Sequence, residues 1–248
     1  MSLSSPVVRR WVVLLATLAA VALTVRLGAW QLARAAQKEA MQASADTRST
    51  LAPLATADLA RDGHAAAAQH DRRITLSGRW LAEQTLYLDN RQMNGRVGFF
   101  VVTPLELAPG DAVMVLRGWA PRDFQDRTRL PAAPLSAGTV SVAGTIAPPP
   151  GKLYAFDGTE RGPLRQNLDL AVYSREIGVA LRPLSLQQQD SGAPDDGLRR
   201  QWPKPAVDVH KHYGYALQWF ALAFLLSGLY VWFQLLGPWR ARRLRPTA

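Results

Sequence analysis

Apolar positions are unevenly spread along this chain. Residues 11–30 form an apolar run broken only by Arg26, and residues 213–236 form a second run without a charged side chain. An α-helix rises about 1.5 Å per residue, so each run is long enough for a hydrocarbon core of about 30 Å. The pattern predicts a tail at 1–10, a span at 11–31, an intervening domain at 32–212, a second span at 213–236 and a basic tail at 237–248. Both ends of the intervening domain are then tied to one side of a bilayer.

Past the first span, residues 31–45 are rich in Ala, Gln and Lys, which predicts that the helix continues beyond the apolar run and ends near Asp46. A second short helix is expected over 57–61, with Thr56 as its N-cap. From Arg73 the pattern changes to short runs rich in β-branched and aromatic residues, punctuated by Gly and Pro. Strands are predicted at 73–79, 85–90, 97–105, 112–119, 139–147, 164–169 and 181–187, with a helical turn or two at 171–177. Asn94-Gly95 marks a hairpin between two of these runs. Residues 121–134 form a charged loop, 148–151 a rigid break, and 188–205 a polar linker back to the second span. The fold class is thus a membrane protein: two transmembrane α-helices, N-in and C-in, flank an extracytoplasmic α+β domain. A small antiparallel β-sheet or barrel over about 73–187 dominates that domain.

Charge supplies the orientation. The chain carries 29 Lys and Arg against 19 Asp and Glu, a net charge of +10. Residues 31–209 hold 21 of the basic and all 19 acidic residues, so the excess sits mostly at Arg9, Arg10, Arg26, Lys211, Arg240, Arg242, Arg243 and Arg245. Basic tails at both ends point to a cytoplasmic location for them and an outward domain. The same distribution argues against a nucleic-acid surface, which needs a basic patch on a recognisable module. A cleaved signal peptide is the alternative for residues 11–30, with Ala33-Arg34-Ala35 imitating its processing site. The few residues ahead of the first span leave no room for a mitochondrial presequence, so a bacterial inner membrane is expected, with the domain in the periplasm.

There is no cysteine. Disulfides, Cys-x-x-Cys-His haem attachment and thiolate metal sites are thereby excluded. Nor does the chain contain a nucleophile elbow, a zinc-protease helix motif, a P-loop or a dinucleotide fingerprint. His64 and His70 lack metal-ligand spacing to nearby carboxylates. The expectation is a non-enzymatic binding or assembly module.

Candidate chemistry gathers where the apolar runs meet the intervening domain. Leu27-Gly28-Ala29-Trp30-Gln31 is followed by Arg34 and Lys38, and Gln31, Arg34 and Lys38 share one helical face. They could be ordinary neighbours of an interfacial tryptophan, or could pair with an anionic headgroup, a partner carboxylate or haem propionates. At the other end, His212 opens a helical stripe continuing through Ala216, Trp219 and Ala223. Small residues allow a flat macrocycle or a second helix to approach, and a neutral imidazole can ligate haem iron. His212 could equally be an interfacial residue without special chemistry. Two further clusters suit turns and strand ends: Leu88-Asp89-Asn90-Arg91 with Gly95, Gly98 and Thr103-Pro104-Leu105, and Arg117-Gly118-Trp119 with Pro121.

In order and in position relative to the two apolar runs, these clusters resemble the surfeit locus protein 1 family, membrane proteins that assist assembly of cytochrome c oxidase. The resemblance covers nearly the whole chain and rests on Gly28-Ala29-Trp30-Gln31, Asn90-Arg91, Thr103-Pro104-Leu105, Arg117-Gly118-Trp119, and His212 with Tyr215-Ala216 and Gln218-Trp219-Phe220. It implies a bacterial member that binds haem a transiently and assists its insertion into oxidase subunit I, with other assembly factors and a haem a synthase as candidate partners. His212 is the implied ligand of the haem iron, with His210 a second choice. Ala216, Trp219, Arg34, Lys38 and Gln31 would complete the binding site, the haem lying in a slot against Ala216 and Ala223. A haem-free scaffold for nascent oxidase subunits is the alternative. A membrane-anchored hydrolase is a third class, for which no nucleophile and base can be read.

Overall fold

The computed structural model describes residues 5–123, 125–126, 129–153, 162–190, 196–202, 208–237 and 239. The chain divides into two compact units, Met1–Ala43 with Pro205–Ala248, and Ser44–Lys204.

The first unit is helical. α1 runs over Pro6–Thr50, and α4 over Val209–Tyr230, continuing as a wider π-type segment through Val231–Leu236. Both are long and apolar enough to cross a membrane. Only 11% and 6% of their most apolar windows are buried, which sets them apart from core helices. At about 1.5 Å per residue α1 is roughly 67 Å long, more than twice a hydrocarbon core. It ends four residues beyond the expected Asp46. The basic tail with Arg240, Arg242, Arg243 and Arg245 lies outside the described residues.

The second unit is built on seven strands: β1 Arg73–Trp80, β2 Leu86–Met93, β3 Arg96–Ala108, β4 Asp111–Pro121, β5 Thr139–Ala147, β6 Leu164–Arg165 and β7 Ala180–Gln188. All fall on predicted runs. The sheet order is β1-β5-β7-β4-β3-β2-β6, and β1 also pairs with β3 through Arg79↔Glu106 and Trp80↔Leu105. That pairing closes β1, β5, β7, β4 and β3 into a ring, with β2 attached along β3 and β6 along the far edge of β2. The expected antiparallel sheet is corrected in one respect: β4–β7 and β2–β6 are parallel, making the sheet mixed. β7 enters between β4 and β5 after a crossover that contains α3 (Leu170–Ile177), which lets it run parallel to β4.

Alternation along the strands sorts the core into two layers. Ile74, Leu76, Leu105, Val113, Val115, Val142, Ile146, Leu184 and Leu186 pack together with Leu59, Ala60 and Ala66. The alternate positions of β4, Met114 and Leu116, join Leu86, Leu88, Val102, Leu168, Leu170 and Tyr173 in the other. β4 is therefore buried on both faces from Ala112 to Ala120.

The short helix expected over 57–61 does not form. Thr56–Asp58 make a single 3₁₀ turn without a side-chain cap, and the true helix is α2, Gly63–Gln69. Asp62 caps α2 by accepting from Ala65 N at 2.9 Å, and its alanines pack inward through Ala66. The Asn94-Gly95 hairpin is as predicted, with φ of +50° and +74°, the geometry of a primed turn.

The clusters around Asn90-Arg91 and Arg117-Gly118-Trp119 are architectural. Trp119 is fully buried and its indole N–H donates to Arg91 O at 2.9 Å. Its ring fills the space above Gly98, where a Cβ would lie 2.6 Å from Cζ2. Arg91 donates to the carbonyls of Gly151 and Gln166, each at 2.8 Å, and Arg117 to those of Ala133 and Pro134 at 3.0 and 2.6 Å. Buried guanidinium groups thus tie irregular segments to the sheet, satisfying carbonyls that the strands leave open.

Residues 196–202 correct the predicted linker. Arg199 exchanges two backbone hydrogen bonds with Trp119, both at 2.8 Å, and Leu198 is buried against the place where Gly118 lacks a side chain. Asp196 pairs with Arg117 and Arg200, and Asn94 donates to Gln201 at 2.6 Å. This segment is a strap on the sheet. The remainder of the linker, at 191–195 and 203–205, lies outside the described residues.

Candidate haem-binding site on the helix pair

Within the helical unit, α1 and α4 present matching stripes. On α1 the less exposed positions are Thr24, Gly28, Gln31, Ala35 and Lys38; on α4 they are His212, Ala216, Trp219 and Ala223. Their spacings of three and four place each set on one face. Gly28 is the point of closest approach. A Cβ there would lie 2.8 Å from Cζ and 2.9 Å from Cε1 of Phe220, so the ring occupies the space that glycine leaves. Thr24 turns its hydroxyl back to Ala20 O at 2.9 Å, satisfying it within α1.

At one end of these stripes His212 Nδ1 lies 2.7 Å from Gln31 Oε1. An amide oxygen only accepts, so Nδ1 is the donor in this contact; in the neutral ring that arrangement leaves the lone pair on Nε2. That tautomer is the one in which an imidazole ligates a metal through Nε2, and a hydrogen bond at the other nitrogen is the usual way such a ring is oriented. About two turns further along α1, Glu39 Oε1 accepts from Tyr213 OH at 2.9 Å, a second polar tie between the helices. Neither tie can be read from one helix alone, because each joins residues more than 170 positions apart.

The predicted residues separate into two groups. Gln31, His212 and Trp219 share the facing stripes, as does Lys38, which is half-buried and engaged. Arg34 does not join them: it is exposed and donates to Gln37 Oε1 at 2.8 Å along its own helix. The position turned inward is Ala35, because an alanine lets the helices approach where an arginine would hold them apart. Where a slot against Ala216 and Ala223 is expected, the two helices are in contact. Both alanines are buried, at 2% and 6% exposure, and Phe220 fills the adjacent space over Gly28, so the small residues serve helix packing. His210 is exposed and carries no contact to Gln31.

Among the described residues no three metal-ligating side chains converge. Haem does not require them, since the macrocycle supplies four ligands and the protein one or two. A single neutral imidazole oriented through Nδ1 fits the donor requirement; the space beside Ala216 and Ala223 is filled by Phe220, so a macrocycle would have to meet His212 from the exposed side of the pair.

The sequence pattern of the SURF1 family matches residues 18–224. This chain belongs to the SURF1 family. The match takes in α1 from its apolar run, the whole sheet unit and most of α4. A SURF1-like protein of Rickettsia conorii is 25% identical over 213 residues, 84% of this chain and 85% of the relative. The cytochrome oxidase assembly protein SHY1 of Saccharomyces cerevisiae is 29% identical over 99 residues, 38% of this chain and 24% of that protein. Surfeit locus protein 1 of Arabidopsis thaliana is 30% identical over 119 residues, 44% and 33% of the two chains. The matched segments thus span a third or less of the yeast and plant relatives, against most of the Rickettsia SURF1-like protein.

Proposed function

We propose that this SURF1-family chain is a non-catalytic assembly factor for cytochrome c oxidase that holds haem a as cargo through His212 and assists its insertion into subunit I. The observation that carries the reading is the contact of His212 Nδ1 with Gln31 Oε1 at 2.7 Å, which prepares Nε2 for iron. Haem a would be the substrate of a transfer, and the residues act by binding and orienting it. Gln31 holds the tautomer and the ring plane. Trp219, half-buried on the same stripe, offers an aromatic edge, while Lys38, on the facing stripe of α1, supplies a cation for the propionates. A single imidazole suits a carrier that must release its load.

On this reading the two helices span a bacterial inner membrane, and the sheet unit lies in the periplasm. The partners are oxidase subunit I, other assembly factors and a haem a synthase as donor. The test is the absorption spectrum of the full-length protein, purified in detergent from a host that makes haem a. The haem bands are expected in the natural protein and absent after His212→Ala. Undiminished bands in the variant overturn the ligand assignment.

A second reading has its own support. The closed packing of Ala216, Ala223 and Phe220 against α1 suits a haem-free scaffold for nascent oxidase subunits. Protein without haem under those same conditions, with oxidase activity still lost in a deletion strain, would favour the scaffold.

A further inference from the structure

α1 carries a second polar feature that the His212 site leaves unused. Arg26 interrupts the apolar run five residues before Gln31, about 7.5 Å deeper along the helix. Thr24, Gly28 and Ala35 are buried toward α4, whereas Arg26, Trp30 and Arg34 are all exposed, Trp30 by 57%. Their spacing of four residues places these three on one face, turned away from α4. Among the described residues Arg26 has no carboxylate partner, and Arg34 commits Nη1 to Gln37. A cation within an apolar span is costly unless an anion meets it. Escape toward water is opposed by the helix itself, because side chains lean toward the helix N-terminus, which for Arg26 is deeper into the apolar run.

We propose that the Arg26–Trp30–Arg34 face of α1 binds the phosphate headgroup of an anionic phospholipid. The Arg26 guanidinium matches a phosphate with two parallel donors. Trp30, one turn above, has the amphipathic ring that settles at headgroup level, where its N–H meets ester carbonyls. Arg34, a further turn out and beyond the apolar run, faces the headgroup from the aqueous side. A lipid is favoured over an acidic helix because the three side chains follow the gradient of a single lipid, from acyl boundary to water, over about 12 Å.

The inference rests on α1 being a membrane span and is independent of haem binding. Native mass spectrometry of the full-length protein, extracted with an equal mixture of phosphatidylglycerol and phosphatidylcholine, reads it. Retention of phosphatidylglycerol over phosphatidylcholine is expected, falling about fivefold in Arg26→Gln, the effect of one basic residue at a lipid surface. Arg26→Lys should keep part of the preference. Should Arg26→Gln not fold, as judged by the near-ultraviolet signal of the buried Trp119, Arg34→Gln at the exposed end of the same face should reduce the preference instead. No preference in the natural protein, or an unchanged preference in the folded variants, overturns the proposal. It also falls if Arg26→Gln keeps its lipid but loses a co-purifying membrane protein, since the face would then dock an acidic helix. Absence of the chain from the membrane fraction would instead refute the span itself.

Discussion

Gly98→Ala isolates what the Trp119 cluster contributes. The added Cβ would lie 2.6 and 2.7 Å from Cζ2 and Cε2 of the indole, and against the carbonyl oxygen of Ala120. Carbon atoms rest at about 3.5–4.0 Å, so the ring must withdraw by about 1 Å. It has no room to do so. Trp119 is fully buried, its N–H donates to Arg91 O, and its backbone is paired with Arg199 of the strap. Overpacking of this kind costs about 1–3 kcal/mol, and an indole N–H left without its buried acceptor about 1–3 kcal/mol more. A loss of about 3 kcal/mol is expected, roughly a hundredfold in the folding equilibrium. Denaturant titration of the full-length protein in detergent, followed by the near-ultraviolet circular dichroism of the tryptophans, measures it. Gly63→Ala is the matched control, since nothing lies within 4 Å of its Cβ, and it should be neutral or slightly stabilising. Equal midpoints for the two variants would refute the steric account.

Asp111→Asn should destabilise the sheet unit by about 3–5 kcal/mol in the same titration, because it strips a buried guanidinium of its counter-charge; Arg182 now meets Asp111 through Nε and Nη2 at 2.7 and 2.6 Å. The hydrogen bonds from Arg182 hold the Asp111 carboxyl below its ordinary value of 3.8. Its stabilisation is therefore complete above that value and lost as pH falls through the lower folded-state pKa, so an acid titration should show this loss in the natural protein and not in Asp111→Asn. Tyr173→Phe removes the hydrogen bond to Gln84 O at 2.8 Å, expected to cost about 1 kcal/mol. Burial pushes that phenol up to about 12 from 10.0, so the natural protein should lose stability as pH rises from 10.0 toward 12, and the phenylalanine variant should lack this component. Gln31→Leu should weaken haem a binding about 10–100-fold in a spectroscopic titration while leaving the sheet unit's denaturant midpoint unchanged; equal affinity would show that Gln31 does not position His212.

Much of the fold was legible because it is local. Strands such as Ile74-Thr75-Leu76 announce themselves by alternation, and the two helices by uninterrupted apolarity. What escaped depends on pairing at a distance. Nothing in β7 itself distinguishes a strand that runs parallel to β4 from one that runs antiparallel to it. The strap is hidden in the sequence because Asp196, Arg199, Arg200 and Gln201 have the composition of a solvated linker, whereas Asp196 pairs with Arg117, Arg199 with the Trp119 backbone and Gln201 with Asn94. Asp62, one residue before Gly63, has the same capping chemistry as Thr56, and only the start of α2 decides between them. On α1, Gln31-Arg34-Lys38 and Gln31-Ala35-Lys38 both satisfy helical spacing, and only close packing beside Gly28 selects the second.

The closed ring also dictates an order of events during synthesis. β7 is the last strand made among the described residues, yet it fills the gap between β4 and β5, and its Arg182 caps Leu59 O, 123 residues earlier in the chain. The nascent sheet therefore waits, with α1 already translated, until β7 has been released. Only the strap and a short stretch then precede α4, so barrel closure and delivery of the second apolar helix fall close together in time. Translation halted before β7 would leave β4 and β5 as open edges, strands available for pairing with another chain.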